Sequence, residues 1–502
     1  MMHVATVRVS TVHSRRNKQH PRYTGIREAQ RHFSYLHYGT SAMCTNTTVM
    51  LKGEETRRKP PLREFTMEEI HAQENKDGRI LVVINGQVYD VSNFLDKHPG
   101  GDLVLRNVAG KDCTDVFENY HQGRVSQSSL GRFLVGQVSD QQPVYPHVQD
   151  FRAVRQELIN AGMFQVQKSY YVRVYASSAA LFLVSMYFSL ACGESIPCHM
   201  LGAALLGFFW QQFAGVGHDL GHSNVSQNLR QDHRVGSMLG CFLTGISMAW
   251  WKRNHNTHHV SVNSIEHDPD IQHMPIFLLS EDALLKPFWS SFYSKWVKMD
   301  SISSRLIGHQ HILFFPIMLV ARFNLYAQSW IFLMNSNMKT DYRRIEICAL
   351  SAFACWYLTV AWSFSTWTES VAWVMLAHAV AGFLHIQIVV SHWAMETYHG
   401  HSYNTADDEW YRLQLNTTMN IECSPWMDWF HFGLQFQIEH HLFPSLPRHN
   451  LRYASKLVKE ACERNGIVYH SHSITEAILM TLKTLSDMAA RAREHALHDH
   501  CD

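Results

Sequence analysis

The sequence predicts a multi-domain chain. A small α+β domain comes first, followed by an all-α membrane domain of about four transmembrane helices with a cytosolic helical cap that holds a histidine-rich site. Three observations lead there. A strand–turn–strand pattern between Arg79 and Val91 precedes the turn His98-Pro99-Gly100-Gly101. Two pairs of apolar stretches of bilayer length follow it, and the 46% hydrophobic content is concentrated between about residues 172 and 393. Three histidine boxes flank those stretches.

The boxes share a helical spacing. His218-Asp219-Leu220-Gly221-His222 has histidines at i and i+4, and His255-Asn256-Thr257-His258-His259 has them at i, i+3 and i+4. Gln437-Ile438-Glu439-His440-His441 repeats the second pattern with glutamine in the first place. These spacings put side chains on one helix face, so each box presents two or three of them to one point. An isolated HxxxH pair arises readily by chance. Three boxes beside apolar runs, two of them ending in His-His, are a much stronger signal.

Composition excludes some functions. The formal net charge of +1 favours no polyanionic partner, so no nucleic-acid role is expected. The 10 cysteines form no CxxC pair and read as reduced thiols of a cytosol-facing protein. Residues 1–59 read as a basic, disordered leader. Glu28 is the only acid among the first 50 residues, a bias also seen in organelle transit peptides.

Residues 60–142 read as a soluble domain. Arg79 to Ile84 is a strand-like run, Asn85-Gly86 a hairpin turn, and Gln87 to Val91 an alternating return strand. Asp115 to Tyr120 reads as a short helix that ends at His121. With His98-Pro99-Gly100-Gly101, Ala109-Gly110-Lys111-Asp112-Cys113-Thr114 and His121, the stretch 63–138 resembles cytochrome b5. The resemblance implies haem b with His98 and His121 as axial ligands. Two imidazoles saturate the iron, so such a haem carries electrons and does not bind oxygen.

Residues 143–482 read as the membrane domain and 483–502 as a C-terminal tail. An amphipathic helix is expected over 151–168. Spans are expected over about 174–192, 200–217, 347–367 and 371–393, each near the length of the bilayer core. The two short inter-span turns hold no Lys or Arg, whereas the segment from His218 to Arg344 is rich in both. Positive-inside places that segment, both termini and all three boxes in the cytosol. The apolar stretches 235–251 and 312–334 are read as interfacial, the second because Arg322 and Asn324 interrupt it. His392, at the end of the fourth span, is a further candidate ligand, because a dinuclear site wants more than seven. His378 and His385 are read as packing residues. His267 and His273, which flank Asp268-Pro269-Asp270, are read as loop positions beside the site.

Imidazole suits Fe, Zn, Cu or Ni. A fused electron carrier selects iron, since zinc has no redox chemistry. A site at the membrane surface suits a lipid substrate, and the chemistry expected is O2-dependent oxidation of an unactivated C–H bond.

Residues 63–482 as a whole resemble the front-end desaturases, membrane di-iron enzymes with an N-terminal cytochrome b5 domain. The resemblance rests on the third box opening with Gln437, on Trp426-Met427-Asp428-Trp429-Phe430-His431, on Gly433-Leu434-Gln435-Phe436, on Leu442-Phe443-Pro444-Ser445-Leu446-Pro447-Arg448, and on Trp250-Trp251-Lys252. Phe432 departs from it, standing where the family commonly has glycine. The resemblance implies two non-haem irons held by His218, His222, His255, His258, His259, His440 and His441, with Gln437 at the same site and His392 as a further candidate. It also implies O2 as co-substrate and an endoplasmic reticulum location, a plastid being the weaker alternative. NAD(P)H is expected to act through a separate cytochrome b5 reductase, since no dinucleotide fingerprint is present.

Glu266 to His273 and Ala321 to Ser329 look most like the sphingolipid delta-8 desaturases. Delta-6 and delta-5 fatty-acyl desaturases share the boxes, so a sphingolipid or ceramide, a phospholipid and an acyl-CoA all stay open as substrates. A lipid hydroxylase and a membrane-anchored electron carrier are the competing readings. Gln437 argues against the first, and complete boxes argue against the second.

Overall fold

The computed structural model describes residues 62–140, 143–400 and 409–498. The leader expected over 1–59 and the last residues of the expected tail lie outside them. The first part of the described chain is a four-stranded sheet in the order β1-β4-β3-β2, with β1 (Arg63–Phe65), β2 (Leu81–Ile84), β3 (Gln87–Asp90) and β4 (Leu134–Val138). β1 runs parallel to β4, and the other neighbours are antiparallel. Asn85 and Gly86 join β2 to β3 with φ of 50° and 72°, the left-handed pair that a two-residue hairpin turn requires. Helices α1 (Met67–Asp77), α2 (Asp102–Asn107) and α3 (Thr114–His121) complete this part. α3 ends at His121, where the sequence suggested its end.

α4 (Pro146–Asn160) follows. It lies earlier than the helix expected over 151–168. Pro146 fits its first turn, where no amide hydrogen is needed, and Gly162 at φ 69° turns the chain after it. Val148, Phe151, Val154 and Leu158 line its buried face. They join a core that also contains Val82, Val91 and Val116 of the first part and Leu451 and Val458 of the C-terminal part. The N-terminal domain is therefore packed into the rest of the described chain and is not a bead on a linker.

Next come α5 (Lys168–Leu190), α6 (Ile196–Gly221), α7 (Met248–Val260), α8 (Gln310–Val320), α9 (Arg322–Met334), α10 (Arg343–Trp362) and α11 (Trp367–Val389). Among the described residues, α5, α6, α10 and α11 are the four helices long and apolar enough to cross a membrane. α6 packs against both α5 and α11. The closeness depends on small residues: a Cβ at Gly207 would clash with the backbone of Ala377. α8 and α9 meet at a 67° bend, the geometry of a broken span or a re-entrant loop. Buried Arg322 sits at that bend, where it donates to the Thr244 carbonyl at 2.6 Å and to Tyr326 Oη at 2.9 Å. The sequence reads this stretch as interfacial, and the bend at Arg322 means that it is not one straight span. α12 (Gln437–Leu442), α13 (Leu451–Asn465) and α14 (Ile474–His498) end the described chain. α14 runs unbroken across residue 483, where the sequence suggested the start of a tail, because Leu485, Met488, Ala489 and Ala492 are buried.

Candidate active site and metal centre

Each box is brought in by a different element. α6 carries His218 in its last turn, and His222 caps it. Gly221 has to be small, because a Cβ there would run into the Trp251 ring. α7 carries His255, His258 and His259. Ser247 caps its N-terminus by accepting from the Trp250 amide at 3.1 Å. Buried Glu346 of α10 holds that end in place, accepting from Ser247 Oγ at 2.5 Å and the Ala249 amide at 3.1 Å. α12 is wholly buried and carries His440 and His441. Asn420 fixes it by accepting from the Ile438 amide at 2.9 Å.

The imidazoles converge in two adjacent groups. His218, His222, His255 and His440 form one, and His258, His392 and His441 the other. In the first, Nε2 of His440 lies 3.0 Å from Nε2 of His218, and His259, beside the group, brings its Nε2 to 3.0 Å from Nε2 of both His440 and His255. In the second, every Nδ1 faces an oxygen: Asp268 Oδ2 for His258 at 2.9 Å, Gln414 Oε1 for His441 at 3.0 Å, and the Thr417 carbonyl for His392 at 3.2 Å. An Nδ1–H donor at each of these positions makes Nε2 the nitrogen that offers a lone pair in the neutral ring. His259 stacks on His441 at 4.1 Å between centroids and so joins the groups.

The donor set fits metal ions. Nε2 of His222 and of His441 is buried with no hydrogen-bond partner. Burial, and then the neighbouring imidazoles, hold His222, His255, His259, His440 and His441 well below the usual histidine range, which is the neutral form that metals need. His258 is the exception. Burial opposes its charge, but Asp268 and Asp270 outweigh burial and raise it to about 9. These carboxylates supply negative charge beside the second group.

His392 stands in the turn just after α11, beyond the span in which the sequence suggested it lay. Gln437 is the buried first residue of α12, one turn before His440. His378 stacks on Phe323 at 4.0 Å and His385 faces the Met318 carbonyl at 3.1 Å, both packing roles. His267 faces Ser291 Oγ at 2.9 Å. Sequence reasoning passed over Asp268 and Gln414 as partners of the histidines. The Asp-Pro-Asp motif ten positions after His258 was a usable signal for the first. Nothing in the sequence marks the second.

In the N-terminal part the His98 and His121 rings face each other with centroids 6.3 Å apart. Their Nδ1 atoms face the carbonyls of Gly101 at 3.0 Å and Phe117 at 2.9 Å. The remaining nitrogens have room for a metal ion at bonds of about 2 Å each. Burial lowers both imidazoles, His98 to about 4. Gly100 must lack a side chain, since a Cβ would lie 2.8 Å from the His98 ring.

α7 also carries contacts to this domain. Arg253 pairs with Asp102, Asn256 Nδ2 donates to the Gly100 carbonyl at 3.2 Å, and Asn107 donates to Ser261 just beyond α7 at 3.2 Å. Tyr120, next to His121, packs edge-on against His259 at 6.2 Å between centroids.

A fatty acid desaturase family model matches residues 195–473, and a cytochrome b5-like heme/steroid binding domain model matches residues 66–139. The chain belongs to the fatty acid desaturases. Among the relatives of this desaturase are an acyl-lipid (9-3)-desaturase of Borago officinalis, 36% identical over 437 residues (85% of this chain, 96% of the relative), and delta(8)-fatty-acid desaturase 2 of Arabidopsis thaliana, 37% identical over 434 residues (86% and 94%). A delta 8-(E)-sphingolipid desaturase of Kluyveromyces lactis is 34% identical over 388 residues (76% and 65%). The protein is a front-end desaturase, a membrane oxidoreductase with a fused cytochrome b5 domain. The b5 domain implies haem and the desaturase family implies iron, and both histidine arrangements fit those groups.

Proposed function

We propose that this desaturase introduces the delta-8 double bond into the long-chain base of a sphingolipid, with electrons delivered through its own haem domain. When bound, the irons supply O2-dependent removal of two hydrogens from adjacent carbons, and the haem supplies electrons singly. In this reading His218, His222, His255, His258, His259, His440 and His441 are the ligands, joined by His392, and His98 and His121 hold the haem. Gln437 offers a weaker oxygen ligand or orients a bound water. Asp268, Gln414 and the Thr417 carbonyl keep the imidazoles of the second group oriented with Nε2 toward the site. A separate cytochrome b5 reductase using NAD(P)H reloads the haem domain.

One observation carries the electron route. α7 holds three box histidines and also contacts the haem domain through Arg253 and Asn256. We place the enzyme in the endoplasmic reticulum membrane, as its resemblance to the front-end desaturases implies, and the charge distribution supports an orientation with both termini and the site in the cytosol.

The substrate preference rests on the delta 8-(E)-sphingolipid desaturase relative and on the stretches Glu266 to His273 and Ala321 to Ser329. The acyl-lipid relative favours a second reading, desaturation at the delta-6 or delta-5 position of a fatty-acyl lipid. Expression in a host lacking such lipids, with profiling of both long-chain bases and fatty acids, decides between them. Delta-8 unsaturated bases are expected. New double bonds only in fatty acyl chains would establish the second reading, and an unchanged profile in both pools would overturn both.

A further inference from the structure

A cavity of about 510 Å³ lies between α5, α6 and the segments on either side of α12. One part of its wall is cationic and the other is apolar. Arg173, Arg448 and Arg452 line the first, and Leu181, Phe208 and Trp429 the second. Arg173 and Leu181 are eight residues apart on α5, which is roughly 12 Å along a helix. That is a gradient of the size between a lipid headgroup and its chains. α5 exposes Val172, Leu183, Val184, Tyr187 and Leu190, so the cavity borders the face that meets lipid.

The charges do not cancel. Arg448 is buried and paired with Asp219 at 3.0 Å, and Arg452 with Asp428. Arg173 is exposed and has no carboxylate partner among the described residues. Both ring nitrogens of His449, on the same wall, are buried without a hydrogen-bond partner. Three guanidiniums against two carboxylates leave one positive charge and unused donors facing the cavity. The deep wall also adjoins the first histidine group, since Asp219 lies beside His218 and a Cβ at Gly215, one turn before it, would meet Arg448 and Phe432.

We propose that this cavity receives the phosphodiester headgroup of a membrane lipid, with Arg173 as the phosphate contact and the lipid chain running along Leu181 and Phe208. Guanidinium groups match phosphate oxygens in both charge and geometry. Single net positive charge fits the single negative charge of a phosphodiester. The proposal rests on the lipid-desaturase reading, and it names the substrate as a phosphate-bearing lipid rather than a neutral ceramide or diacylglycerol.

The test uses the full-length holoenzyme in detergent with four short-chain probes: phosphatidylcholine, ceramide phosphocholine, diacylglycerol and ceramide. Binding is measured by competition against a photo-crosslinking phosphatidylcholine. Both phosphate-bearing probes should bind at least about tenfold more tightly than their neutral counterparts, and Arg173→Gln should remove about that factor from the phosphate probes alone. Arg173→Lys should retain part of it, and the haem absorbance verifies folding in each variant. Preference between the two phosphate probes then identifies glycerolipid or sphingolipid as the source. Equal affinity for phosphate and neutral probes, or an Arg173→Gln variant that binds phosphate probes as wild type does, would overturn the proposal. Binding that follows Arg173 while no desaturated product forms would overturn the desaturase substrate reading and leave the site standing.

Discussion

The two histidine groups lie side by side but are held in different ways. His218, His222, His255 and His440 are placed by helix spacing and by helix ends, and their contacts are mainly with one another. His258, His392 and His441 are each tied from behind by an oxygen, from Asp268, the Thr417 carbonyl and Gln414. The first group is therefore built by fold geometry alone, and the second also by hydrogen bonds that set the tautomer. Removing a ligand that links the groups should harm both. Removing a ligand or a supporting oxygen of the second group should harm only the second.

The largest effect tests whether these are two sites or one. His440 contributes to the first group and touches His259, which links the two. His440→Ala is expected to lose non-haem iron outright with the haem spectrum intact. His392 belongs to the second group only. His392→Ala is expected to lower non-haem iron per haem from about two to about one, as a two-metal site predicts. Full iron content in His392→Ala would show that His392 is a packing residue and that the second group lacks its third ligand.

A smaller effect should separate the two kinds of support. Asp268→Asn keeps the size of the side chain but removes the charge behind His258. Loss of such a partner typically costs about 10- to 100-fold in metal affinity. Timed iron loss to a chelator, read as iron per haem, checks this. The expected pattern is faster loss of one iron while the other stays at the wild-type rate. Uniform loss of both irons would mean that the groups are a single cooperative unit and that the contrast between them is only geometric.

Much of this was legible in the residues because it is periodic. Spacing at i, i+3 and i+4 placed the boxes, Asn85-Gly86 placed the hairpin, and apolar length gave the four helices long and apolar enough to cross a membrane. What stayed hidden joins residues far apart in sequence. Asn107 and Ser261, or Arg253 and Asp102, leave no local pattern, so the docking of the haem domain on α7 was not readable. The same holds for Gln414 behind His441. Helix ends also moved, because Gly162 stops α4 early and buried side chains extend α14.

The smallest effect concerns the residue where the two halves of the molecule meet. Tyr120, in the last turn of α3 beside His121, packs against His259, the imidazole stacked between the two groups. Its hydroxyl is buried without a partner, so any function at this contact belongs to the ring. Tyr120→Leu should leave both haem and iron content unchanged while slowing reoxidation of the reduced haem in a single turnover by about tenfold, a barrier increase of about 1.4 kcal/mol. Tyr120→Phe keeps the ring and should reoxidise at nearly the wild-type rate. Stopped-flow absorbance of the haem reads this step apart from product release. A slow Phe variant would move the role to the hydroxyl. A Leu variant at the wild-type rate would mean that electrons cross elsewhere along the α7 interface, with Arg253 and Asn256 as the next contacts to remove.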